Sequence, residues 1–107
     1  MKDLMIVETR DPVAHGDVDW TARLATAVRR GGGPAAIFLA DNAVLGARTG
    51  AVSPVTGWIQ AGVTVAVDRF ALRERGIAET EVVAGATPAD LETVLERLLS
   101  GASVIWR

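Results

Sequence analysis

The sequence predicts an α/β fold, a three-layer α/β/α sandwich built on a five-stranded, mostly parallel sheet. Three observations predict it. Short apolar runs alternate five times with helix-period segments. The runs are apolar almost throughout rather than alternating with polar residues, which marks strands buried on both faces. Four helical segments stop at glycine, so each of the first four strands is followed by a helix and a return to the sheet. Composition permits the core this requires. Of 107 residues, 50% are hydrophobic and 22% charged, a mixture that buries a core and is unlike a disordered chain. The length fits a single domain over residues 1–107.

Leu4 to Val7 is the first expected strand, and Glu8 to Asp17, with Pro12 and Gly16, reads as a polar loop. A helix follows, with Trp20, Leu24 and Val28 in one apolar stripe and Ala27 beside it. Asp17 and Asp19 suit its positive N-terminal end, Arg29 and Arg30 its C-terminal end, and Gly31 to Gly33 stop it. Ala35 to Ala40 is the second strand, ended by Asp41 and Asn42. Ala43 to Arg48 reads as a short helix and Thr49 to Ser53 as a loop. Ser53 caps a helix opened by Pro54, on which Val55, Trp58 and Ile59 face one way before Gly62.

Val63 to Val67 is the third strand, and Asp68 to Arg75 a short helix closed by Gly76. Glu81 to Ala84 reads as a weak fourth strand. Thr87-Pro88-Ala89-Asp90 resembles a capping box with Asp in place of Glu. Leu91, Val94, Leu95, Leu98 and Leu99 then give the strongest helical period in the chain. Ala102 to Trp106 is the fifth strand. Trp20 and Trp106 are expected in the core. Trp58, on a short helix with few large neighbours, is the expected interface anchor together with Val55 and Ile59.

Function classes narrow quickly. With no cysteine, the chain has no disulfide, no thiolate chemistry and no cysteine-zinc site. A net charge of −2 supplies no general basic surface for nucleic acid. No apolar run approaches the ~20 residues needed to span a bilayer, and the opening Met1-Lys2-Asp3 does not read as a signal peptide. The expected setting is cytoplasmic.

In open α/β sheets, ligands bind beyond the C-terminal strand ends. Those ends carry Glu8 and Thr9, then Asp41 and Asn42, then Asp68, with His15 on the first loop. Glu8, Asp41, Asn42 and Asp68 are therefore the candidate ligand-binding residues, with three carboxylates expected along one edge. Each has a plainer role. Asp68 and Asp41 suit helix caps or turns, and Glu8 and His15 suit solvated positions. Gly31 to Gly33 follow a helix and precede a strand, the reverse of a phosphate cradle. No nucleophile elbow, matched base or metal-ligand spacing occurs, so no catalytic residue, cofactor or metal is expected. A phospho-receiver would carry a lysine after its last strand, where this chain has Trp106-Arg107.

The segment Ala61-Gly62-Val63-Thr64-Val65-Ala66-Val67-Asp68-Arg69-Phe70-Ala71-Leu72-Arg73-Glu74-Arg75-Gly76-Ile77 resembles the third-strand region of the DsrE/DsrF/DsrH sulfur-relay proteins, a strand followed by a small turn and a helix end of the form L-x-x-R-G-hydrophobic. Ile37-Phe38-Leu39-Ala40-Asp41-Asn42-Ala43-Val44 is similar to the family's second strand and its acidic-glycine-valine turn, with Asn42 at the glycine. Ser103-Val104-Ile105-Trp106 is similar to the last strand of the DsrH/TusB branch. The resemblance runs through the whole chain on short motifs. It implies the sandwich fold, homo-oligomers or hetero-oligomers with DsrE-type paralogues, and relay of sulfur as a cysteine persulfide. The sulfur-carrying cysteine of the DsrE/TusD branch lies eight residues before the glycine of the Arg75-Gly76 pair, which places Asp68 there. A carboxylate forms no persulfide. The resemblance therefore implies a non-catalytic structural or regulatory subunit linked to sulfur relay. The alternative is a small-ligand or metal-ion module using the acidic edge.

Overall fold

Five parallel strands form one sheet in the computed structural model, which describes residues 3–14 and 18–107, the side chain of Val18 excepted. They are β1 (Leu4–Glu8), β2 (Ala35–Leu39), β3 (Thr64–Asp68), β4 (Ala86–Ala89) and β5 (Ser103–Trp106), in the order β4-β3-β2-β1-β5. Every adjacent pair is parallel, so the sheet expected to be mostly parallel is wholly so. The helices are α1 (Val18–Arg30), α2 (Val55–Gln60), α3 (Arg69–Glu74) and α4 (Glu92–Leu99). Two 3-10 segments, Asp41–Ala47 and Glu79–Glu81, lie in the β2–α2 and α3–β4 connections.

Handedness divides the helices between the faces. The chain steps β1, β2, β3, β4 in one direction, so right-handed crossovers put α1, α2 and α3 on one face. The return from β4 to β5 reverses direction and puts α4 on the other. Side-chain alternation agrees. Leu4, Ile6, Ile37, Leu39, Val65 and Val67 cluster with Ala25, Trp58 and Leu72 of the first three helices. Met5, Val7, Ala36, Phe38 and Ala66 cluster with Val94 of α4. All five residues of β1 and of β2 are buried, as the apolar runs Leu4–Val7 and Ala35–Leu39 require; Glu8 is buried with them.

The fourth strand corrects the sequence reading. Glu81 to Ala84 is not a strand; its first residue closes a 3-10 turn, and Val82 makes only an isolated antiparallel bridge to Arg48. The strand is Ala86–Ala89, which takes in Thr87-Pro88-Ala89, the residues read as a helix start. Because β4 pairs with β3 alone, Pro88 sits in an edge strand, where a missing N–H is tolerated. A second correction concerns α4. Val94 is buried, but Leu91, Leu95, Leu98 and Leu99 are 50%, 54%, 51% and 89% exposed.

The tryptophans are reversed as well. Trp58, expected at an interface, is 4% exposed and belongs to the α1–α3 core. Trp20 and Trp106, expected in the core, are 46% and 60% exposed. The Arg107 guanidinium lies 4.4 Å from the centroid of the Trp20 ring, a cation–π contact.

Candidate functional site

The C-terminal ends of β1, β2 and β3 carry the four predicted ligand-binding residues, but they do not form one group. Glu8 follows the same alternation as Leu4 and Ile6, which turns it toward α1. It is 0% exposed, as is Thr21 of α1. The Thr21 hydroxyl donates to Glu8 Oε1 at 2.7 Å, and the Arg10 N–H donates to Oε2 at 3.2 Å. Both oxygens of this buried carboxylate are thereby satisfied, and it pins the start of the β1–α1 loop. The expectation of a solvated Glu8 is corrected.

Asp41 opens the first 3-10 segment with a φ of 49°, the left-handed region that Asp and Asn tolerate better than most residues. It makes a turn and no cap; Ala40 holds the cap position, without a side-chain cap bond. The left-handed residue is thus Asp41, one position before Asn42, where the resemblance places glycine. Asn42 has a different task. Its Oδ1 accepts from Arg75 Nε at 3.3 Å and Nη2 at 2.9 Å, while Arg75 Nη1 donates to the Ala71 carbonyl at 3.1 Å. Arg75 thereby ties the β2 turn to the end of α3.

Asp68 is the cap foreseen for it. It precedes α3 in an extended conformation, and its Oδ1 accepts from the Phe70 N–H at 3.3 Å. The next residue, Arg69, bridges Glu79 at 3.3 Å and Asp90 at 3.4 Å. Its pKa is raised chiefly by the hydrogen bond to Glu79, so it stays a cation throughout the accessible pH range. This clamp joins the α3–β4 connection to the turn after β4. The partners of Arg69 lie 10 and 21 residues away and become legible only once β4 is placed.

Among the described residues, no group of three or more His, Asp or Glu side chains is arranged to hold a metal ion. The carboxylates of the acidic edge thus do not converge: Glu8 is buried behind the sheet edge, Asp68 is engaged with α3, and Asp41 stands on its own turn. His15 lies outside the described residues. The interface trio is corrected too. Val55 is 0% exposed and Trp58 4%, and Ile59 packs against the same core, so α2 turns that face inward. No helix among the described residues is long and apolar enough to cross a membrane.

Solved structures share this architecture over the whole chain. The ychN protein of E. coli superimposes with a TM-score of 0.85 at 20% identity, covering 100% of both chains. A conserved protein of unknown function from Bacteroides thetaiotaomicron gives 0.75 at 22% identity, over 99% of this chain and 95% of that one. A protein of unknown function from Methanobacterium thermoautotrophicum gives 0.72 at 13% identity, over 98% and 97%. No family's sequence model matches the chain, and no curated protein matches it. At these identities the likeness establishes the fold.

Proposed function

We propose that this chain is a non-catalytic DsrE-like protein, a cytoplasmic structural or regulatory subunit linked to sulfur relay. It works as a homo-oligomer or together with cysteine-bearing DsrE-type paralogues. The fold shared with ychN is compatible with this reading. The observation that carries it is Asp68, which occupies the β3–α3 junction where the resemblance places the sulfur-carrying cysteine. Its carboxylate caps α3, a role that serves the fold and has no use for sulfur. With no thiol anywhere in the 107 residues, nothing else in the chain replaces that cysteine.

Exposure to a labelled persulfide donor tests the reading. The wild type is expected to gain no reductant-labile sulfur. Asp68→Cys is expected to gain it, because its thiolate attacks the donor's terminal sulfur and the donor leaves as a thiol. Stable, reductant-sensitive label on the wild type would sink the proposal. An Asp68→Cys variant that folds, displays an accessible thiol and takes no sulfur would remove the correspondence on which it rests.

A further inference from the structure

We propose that the exposed leucine flank of α4 is covered by a second copy of this chain, whose α1 groove receives it. This rests on the oligomeric reading above and names its interface. Val94 faces the sheet, which leaves Leu91, Leu95, Leu98 and Leu99 together on one flank of the helix, at 50–89% exposure. Glu92 and Glu96 border that flank on the solvent side, with no ion pair among the described residues. Four clustered leucines of this kind mark an interaction surface rather than ordinary scattered exposure.

The complementary surface is on the same molecule. A shallow groove along α1 is lined by Ala22, Thr26 and Ala27 with Arg23 and Arg30. Small side chains form its floor and two guanidinium groups its border. Large apolar knobs rimmed by carboxylates on α4 thus face a small-residue groove rimmed by cations on α1. Arg30 makes no ion pair among the described residues. Arg23 pairs with Asp19 at 2.6 Å, but both side chains are more than half exposed, so that pair contributes little and exchanges readily.

Pairing α4 with α4 of another copy fits less well. It would gather Glu92 and Glu96 from both copies, while the nearest helix cation, Arg97, is held by Asp3 at 2.7 Å. Because α1 and α4 lie on opposite faces of the sheet, the contact is head-to-tail. A head-to-tail contact closes only into a ring of three or more copies.

Two single variants and their mixture test this, with mass measured by light scattering and folding checked by thermal melting. Wild type is expected to show at least three subunits. Leu95→Glu, which spoils the knob, and Ala27→Trp, which fills the groove, are each expected to be folded monomers. Mixed in equal amounts they are expected to form a dimer, since one intact groove and one intact leucine flank remain between them. Both variants remaining assembled would overturn this interface and leave the oligomeric reading standing. A monomeric wild type would overturn both. An assembled Ala27→Trp beside a monomeric Leu95→Glu, or a mixture that stays monomeric, would overturn the α1 groove as the seat.

Discussion

Trp58 and Trp106 present the same indole at 4% and 60% exposure, and local sequence ranks them the wrong way round. The reason lies in volume. The cluster that Trp58 joins is rich in small residues, Ala25, Ala43, Ala47, Val55 and Val63 among them. A short helix carrying one large side chain therefore fills space that several medium ones would otherwise occupy. Its Nε1 finds no hydrogen-bond partner among the described residues, so there the indole is held by packing and carries an unsatisfied donor. Trp58→Ala is expected to cost about 3–5 kcal/mol, seen as a lower urea midpoint. Trp58→Phe also loses volume but removes the unpaired N–H, so it is expected to cost less than half as much. A Trp58→Ala protein of wild-type stability that changes only its mass would return Trp58 to an interface. Glu8 was misjudged for a related reason: a carboxylate at a strand end is commonly solvated, and only the alternation along β1 together with Thr21 on the facing helix shows that it is enclosed.

Helix stops and four of the five strands were legible, whereas the fourth strand and the start of α4 were not. Stop signals act locally, and all four helices close with the same pair of bonds. At α3, the Ile77 N–H reaches the Leu72 carbonyl at 3.0 Å and the Gly76 N–H reaches Arg73 at 3.2 Å. Gly76 takes a φ of 67° to make that turn. A Cβ there would meet nothing within 4 Å, so Gly76→Ala is expected to cost only the backbone term, about 1–2 kcal/mol by equilibrium unfolding. Gly85→Ala is expected to cost more, because its Cβ would fall 2.8 Å from Ile59 Cγ2 as well as sit at a φ of 93°. Equal losses at the two sites would contradict this. The fourth strand was missed because Thr87-Pro88-Ala89-Asp90 is locally ambiguous. The same residues suit a helix start or an edge strand ending in a turn, and pairing with β3 decides between them. The leucine period did identify α4, but period alone does not say what covers a helix face.

At the scale of the molecule, the five-fold alternation and the apolar runs Leu4–Val7 and Ala35–Ala40 were sufficient to predict a parallel sandwich. Missing from the sequence was the unequal coverage of its two faces. Three helices protect one side, while α4 alone protects the other among the described residues. Both edge strands, β4 and β5, have only four residues, and none of those is buried, whereas β1 and β2 are buried throughout and paired on both sides. Local openings release segments with few buried contacts first. Amide hydrogen exchange is therefore expected to be slowest in Met5–Val7 and Ala36–Phe38, near the free energy of global unfolding. It is expected to be faster in β4, β5 and α4, which open without dismantling the centre. The Arg97–Asp3 pair, with side chains about 30% exposed, fastens α4 to the chain just before β1 and sets a limit on how freely that helix opens. If a second copy covers the leucine flank, protection of α4 and of α1 must also rise together with protein concentration, while that of β1 and β2 stays fixed. Exchange in β4 as slow as in β2 would contradict this hierarchy, since an edge strand with Pro88 would then be opening only with the whole molecule.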